Sequence, residues 1–195
     1  MLRSSLFFEG ANPMQWLNEP QQWSFSDDVL SITAETKSDF WRTTHYGFIF
    51  DSGHFYYQVA ENNFNCSVRV KANYQNQYDQ AGLMVRLDEY NWLKCGIEYV
   101  DGIYHVSAVL TLEHSDWSVV KLAEAPEELW LTVTRNGDTL QVLYATEADA
   151  TPTMVRLGYF PPALPVQVGP MAAAPIQSGF TAEFRDFRLE ALAQE

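Results

Sequence analysis

The sequence predicts an all-β fold, an antiparallel sandwich of two sheets, and three observations carry that prediction. Period-2 alternation of apolar and polar residues dominates the chain, while helical periodicity is nearly absent. Strand candidates follow one another at short intervals with turn residues between them, the pattern of a sandwich or barrel. No strand–helix–strand rhythm occurs, so a parallel sheet is not expected.

The strands are expected at 29–34, 39–43, 54–60, 64–73, 80–87, 92–100, 103–112, 117–122, 129–135, 139–145, 155–160, 166–171 and 180–189. They fit one domain over residues 1–195, a length that all-β sandwiches reach undivided. A 47% hydrophobic and 14% aromatic composition supplies the core. The proline-rich stretch from Phe160 to Pro165 reads as a loop inside the domain, because strand patterning resumes after it.

Turn chemistry sets registers. Asn136-Gly137 and Asp101-Gly102 are type I′ hairpin signals, since that turn needs φ > 0 twice. The first is expected to set Val133 opposite Leu140 and Leu131 opposite Val142. The second pairs Glu98 with His105, Gly96 with Ser107, Lys94 with Val109 and Trp92 with Thr111. One face of this second hairpin is core: Cys95, Ile97 and Tyr99 against Tyr104, Val106, Ala108 and Leu110. Its other face is polar with an aromatic in it. A three-residue loop, Glu89-Tyr90-Asn91, adds the preceding strand by bringing apolar positions together: Val85 opposite Cys95, Leu83 opposite Ile97. A one-residue slip would exchange the faces. This register places Arg86 opposite Lys94, with Gln80, Gly82 and Met84 along the polar face.

Charge and composition exclude several functions. The net charge is −13 with 12 Lys and Arg in no cluster, which disfavours a nucleic-acid partner. No apolar run approaches the ~20 residues of a membrane helix. Met1 to Gly10 holds only the short apolar patch Leu6-Phe7-Phe8, so no secretion signal is expected, and the chain reads as cytoplasmic. Cys66 and Cys95 accordingly read as buried reduced thiols. The four histidines lack metal-ligand spacing, no Gly-x-Ser-x-Gly elbow or phosphate loop occurs, and no cofactor is expected. Ser26-Asp27-Asp28 reads as a turn rather than a calcium loop.

The polar face carries the functional expectation. Like charges directly opposite in an antiparallel pair are destabilising, so Arg86 beside Lys94 calls for compensation. Glu98, an acid such as Asp39 or Asp79, or a ligand would supply it. Trp92 and Trp41 are candidate stacking platforms, although most tryptophans in sandwiches fill the core. Glu98 is alone on its strand, whereas retaining glycosidase chemistry needs two carboxyls ~5 Å apart.

These residues also carry a resemblance. Tyr78 to Asp88 followed by Trp92 to Glu98 resembles a domain family of unknown function that includes the fungal regulation-of-enolase protein and bacterial relatives. Supporting pieces are Trp16, Pro20 and Trp23, then Ser38-Asp39-Phe40-Trp41, Ser115-Asp116-Trp117-Ser118 and Phe184 to Leu189. The resemblance implies a concanavalin A-like jelly-roll of the lectin/glucanase superfamily, with ligands on the concave sheet face. It implies no established active site. One departure is Ala145 to Asp149, where relatives often carry an Asp-Gly turn and a Trp.

The expectation is a non-catalytic module binding a small polar or glycan-like ligand. Gln80, Arg86, Trp92, Lys94, Glu98, Ser107 and Thr111 would lie on the face, and Asp39, Trp41 and Asp79 at its edge. The alternatives are a glycan-active hydrolase using Glu98 with Asp79 or Asp39, and a regulatory protein that binds a metabolic enzyme.

Overall fold

The computed structural model describes residues 13–192 apart from Leu164 and Ser178. The expectation for Met1 to Gly10 therefore lies outside the described residues. Two seven-stranded antiparallel sheets face each other, with no helix among the described residues. The first sheet runs in the order β1 (Gln15–Leu17), β6 (His54–Ala60), β15 (Val166–Ala173), β8 (Gln80–Arg86), β9 (Asn91–Val100), β10 (Ile103–Leu112), β11 (His114–Lys121). The second runs β14 (Thr153–Tyr159), β13 (Thr139–Ala145), β12 (Leu129–Asn136), β7 (Phe64–Ala72), β16 (Thr181–Ala191), β3 (Val29–Thr33), β2 (Trp23–Ser26). A separate hairpin, β4 (Phe40–Arg42) with β5 (Ile49–Asp51), completes the fold. The antiparallel two-sheet sandwich expected from alternation, of the jelly-roll type the resemblance implies, is the fold observed. The sequence reading lacked β1, β2 and β5, each only three or four residues long and too short to show a period.

Alternation places the core. Leu83, Val85, Leu93, Cys95, Ile97, Val106 and Ala108 from the first sheet meet Cys66, Val68, Val70, Leu131, Val133 and Phe184 from the second in one buried cluster. Both cysteines are free and buried there. Burial pushes the Cys66 thiol well up and the Cys95 thiol up to about 12, so both behave as apolar residues. The opposite face of the first sheet builds a second cluster: Met84, Trp92, Val109, Met171 and Phe55 pack under Phe40 and Trp41 of the β4–β5 hairpin.

The β9–β10 register is the expected one, with Glu98 on His105, Lys94 on Val109 and Trp92 on Thr111. Asp101 and Gly102 stand at φ 52° and 77°, the two left-handed residues a type I′ turn requires. Asp27 and Asp28, at φ 51° and 60°, make the same turn between β2 and β3.

Two registers are corrected. On β8–β9, Leu83 faces Cys95, Val85 faces Leu93, Arg86 faces Trp92 and Lys94 faces Met84. The cause is Asp88, whose Oδ1 accepts hydrogen bonds from the Tyr90 and Asn91 amides at 2.8 Å each. The loop thus becomes Asp88-Glu89-Tyr90, and the Leu87 amide donates to the Asn91 carbonyl. The register moves by two residues, which preserves the faces but abolishes the like-charge pair. On β12–β13, Val133 faces Val142 and Arg135 faces Leu140. Here Gly137, at φ 59°, opens a Gly137-Asp138 turn. Arg135 ends the strand expected over 129–135, next to the Asn136-Gly137 turn signal. It is fully buried, its Nη2 donating to the Pro161 and Ala163 carbonyls at 2.6 and 3.2 Å.

Candidate ligand-binding cavity

The β4–β5 hairpin lies across the outer face of the first sheet, and two ion pairs hold it there. Arg86 grips Asp51 with both guanidinium ends, at 2.6 and 2.8 Å. Lys94 Nζ donates to Asp39 Oδ1 at 3.0 Å. Asp51 closes the hairpin opposite Phe40, and Asp39 precedes it, so the cations grip both legs. Thr111 and Ser115 share a hydrogen bond at 2.8 Å, and Ser115 Oγ accepts the Arg42 amide at 2.9 Å, a third tether.

Between hairpin and sheet lies a cavity of about 300 Å³. Its polar floor is Asp39, Gln80, Lys94 and Glu98, and Trp41, Tyr46, Phe48, Phe50, Tyr78 and Trp117 supply rings around it, with Pro175 and Ile176 completing the lining. β8 and β9 can place Gln80 directly against Glu98 and Lys94 beside them because Gly82 faces Gly96 between these pairs. A Cβ on Gly82 would stand 1.9 Å from the Cys95 carbonyl oxygen, so the strands approach too closely for any side chain there.

The floor is internally wired. Asp39 Oδ1 collects the Phe40 amide at 2.7 Å, Lys94 at 3.0 Å and Gln80 Nε2 at 3.3 Å, while Oδ2 accepts from no described residue. Glu98 Oε2 accepts the Trp117 indole N–H at 2.8 Å, which is shared with Ser107 Oγ at 3.0 Å. Burial raises the Glu98 pKa, against the pull of Lys94 and of the Ser107 and Trp117 hydrogen bonds, and Asp39 adds to the rise. Tyr46 is also raised, by burial and by the Tyr78 hydroxyl beside it. Tyr78 stands at φ 66°, a conformation that costs a bulky residue about 1 kcal/mol or more. Its amide bond to the Tyr99 carbonyl at 2.7 Å holds it there, so strain is stored at the cavity wall.

Of the ten residues singled out in the sequence, five line the cavity: Asp39, Trp41, Gln80, Lys94 and Glu98. Ser107 stands one layer behind, orienting Trp117. The other four lie elsewhere. Trp92 is 1% exposed and packs on Phe40, 6.1 Å between ring centroids, so it is no platform. Arg86 is closed by Asp51, and Thr111 by Ser115. Asp79 is fully buried, and its Oδ2 accepts the Gln75 and Asn76 amides at 2.9 and 2.8 Å. Burial raises its pKa in part against those bonds. The sequence reading missed Tyr46, Phe48 and Phe50, although their own period-2 spacing carried the signal. Trp117 and Tyr78 lay inside the blocks that carried the resemblance. Among the described residues, no three His, Cys, Asp or Glu side chains converge as metal ligands.

Residues 16–192 match the family described as "Protein of unknown function (DUF1349)". The chain belongs to this family. The matched span contains both sheets from Trp16 onward and every cavity residue of this DUF1349 chain. It is 39% identical over 176 residues to "Regulation of enolase protein 1" of Saccharomyces cerevisiae, across 90% of this chain and 88% of that one. A crystal structure of a functionally unknown protein from Saccharomyces cerevisiae is similar at a TM-score of 0.89 and 38% identity, covering 93% of this chain and 97% of that one. The carbohydrate binding module CBM66 from Bacillus subtilis shares the fold alone, with a TM-score of 0.56 and 10% identity, covering 90% and 95%.

Proposed function

We propose that this DUF1349 chain is a non-catalytic binding module whose outer-face cavity takes a small, neutral, hydroxylated ligand with apolar faces, a sugar-like molecule. One observation carries the reading: a cavity of about 300 Å³ joins aromatic walls to a polar floor in which Lys94, the only base among the described lining residues, is already matched by Asp39. Rings suit the apolar C–H faces of such a ligand, while Asp39 Oδ2, Gln80 and Glu98 suit its hydroxyls. An anionic ligand would meet Asp39 and Glu98. The carbohydrate-binding module among the fold neighbours is consistent with this chemistry. The name of the yeast relative supports a regulatory setting, in which binding rather than turnover is what matters.

The test is a thermal-shift and calorimetric screen of neutral monosaccharides and polyols against their phosphates, on wild type and on Glu98→Ala. Neutral sugars should raise the melting temperature of wild type and not of the variant. Hits confined to phosphates, or hits indifferent to Glu98, would sink the reading.

A second reading rests on the shared cavity of Asp39 and Glu98. A raised carboxyl beside one held by a lysine is the division of labour an acid/base pair needs. Turnover of aryl glycosides that disappears in both Glu98→Gln and Asp39→Asn would favour it. Asp79 takes no part in either reading, being sealed away from the cavity.

A further inference from the structure

Beside the first cavity lies a second, more open one of about 520 Å³, formed by Thr44, His45, Ser115 and Asp116 with three residues of the first: Trp41, Tyr46 and Trp117. The shared residues are a partition, and its two indoles are held in place by hydrogen bonds. Trp41 Nε1 donates to the Thr44 carbonyl at 3.0 Å, and Trp117 Nε1 is held between Glu98 and Ser107. Tyr46 stands edge-on to Trp41, 5.6 Å between centroids. The indole N–H groups are thus spent within the protein, and the ring surfaces are what the two cavities share. Rings already held by hydrogen bonds lose little freedom when a ligand settles on them.

The chemistry on the two sides differs. The first side is the less open of the two and is floored by Asp39, Gln80, Lys94 and Glu98. The second side is open and offers the exposed His45 ring and the Asp116 carboxylate, 62% exposed and steadied by Arg156. His45 is held at φ 63° within the turn of the β4–β5 hairpin, its ring edge-on to Tyr46 at 4.7 Å. A single small molecule needs only the first side. Polar groups placed past the partition have a use when the ligand continues over it.

We infer that the two cavities are adjoining subsites for an unbranched neutral oligosaccharide of two or more units, one unit seated over Glu98 and the next lying across Trp41, Tyr46 and Trp117 toward His45 and Asp116. This rests on the sugar-like ligand proposed above and adds to it the length and direction of that ligand.

The experiment compares xylose, glucose and mannose with xylobiose, cellobiose and mannobiose by titration calorimetry, on wild type and on the double variant His45→Asn/Asp116→Ala. Asparagine is chosen because it tolerates the left-handed backbone at that position. For at least one series the disaccharide should bind about tenfold tighter than its monosaccharide, the gain of one further set of contacts. The double variant should lose that gain and keep its monosaccharide affinity. Equal affinity for one and two units, or a gain untouched by the double variant, would overturn the second subsite and leave the first cavity's assignment standing. Absence of binding to any of the six sugars would overturn both. Circular dichroism of the double variant separates a lost subsite from a lost fold.

Discussion

The two ion pairs that hold the β4–β5 hairpin look alike in outline and differ in construction. Arg86 and Asp51 form a closed bidentate fork, in which the guanidinium has one acid and both of that acid's oxygens are used. Lys94 and Asp39 touch through one oxygen only, at 3.0 Å, on a carboxylate that also serves Gln80 and the Phe40 amide. Glu98 lies within electrostatic reach of Lys94. The first pair is finished within the protein; the second opens onto the cavity with acceptor capacity left over. One cation is therefore an anchor, and the other is an anchor that also shapes a site. Substitutions at the two aspartates separate these roles.

The largest effect is expected from Asp51→Asn. An amide cannot satisfy both ends of the fork, and Arg86, 8% exposed, is left with an uncompensated charge. Breaking one member of a buried pair costs about 3–5 kcal/mol, and the lower end applies because Asp51 itself is 35% exposed. Urea midpoints should show this loss, and Arg86→Met/Asp51→Leu should recover most of it. Asp39→Asn is expected to cost less, about 1–2 kcal/mol, since the amide oxygen keeps its donors and Glu98 remains to balance Lys94. It should also abolish the sugar response. Equal losses from the two substitutions would remove the distinction between the pairs.

Glu98→Gln should move stability the other way. The Glu98 pKa is raised by burial, so the folded state favours the protonated form. Its contribution is fully present below the ordinary carboxylate range and is lost as pH rises through the raised folded value. Glutamine removes that loss. The variant should melt higher than wild type at pH 8, and the gap should close as pH falls toward 4. Its sugar affinity should fall, since the amide offers one acceptor oxygen where the carboxylate offers two. A gap that stayed constant with pH would show that Glu98 is not the group responsible.

The contrast between the pairs also marks what the sequence could show. Asp101-Gly102 encodes its own turn, so the β9–β10 register and the polar side of that hairpin were readable from two residues. The β8–β9 turn depends on one side chain, Asp88, folding back on two amides, and nothing in local spacing distinguishes that loop from its neighbour. Because the error was two residues, alternation still assigned every side chain to its correct face. Only the partners were wrong, and the like-charge conflict with them. Asp39 was named as a compensator for the basic pair, whereas Asp51 was not. Asp51 sits on a three-residue strand whose position is set by tertiary packing rather than by any period. Trp92 and Thr111 illustrate the opposite limit. They lie on the expected face, but the hairpin covers that part of it, and coverage is not a property of the strand being covered.

The smallest stability effects, and the sharpest functional ones, are expected at the rim. Tyr46 and Phe50 are 47% and 39% exposed, and Phe48 between them in sequence is 40% exposed. Tyr46 stacks on Phe48 at 5.2 Å, and Phe48 meets Phe50 edge-on at 5.0 Å, so the three rings brace one another in the open. Exposed side chains away from buried networks change stability by about 0.5 kcal/mol or less, so Phe50→Ala should stay near that limit in urea titrations, while Tyr46→Ala, which also loses the edge contact with buried Trp41, should cost about 1 kcal/mol. An aromatic pair is worth about 0.5–1.5 kcal/mol, and a ring lost from a sugar face on the same scale should weaken binding about two- to twelvefold by calorimetry. Loss of stability on the scale of Asp51→Asn would mean that the rim belongs to the packing of the hairpin. Unchanged affinity would mean that the ligand never reaches it. Only a stable protein with weakened binding fits a ring of aromatics kept at the surface for something other than the fold.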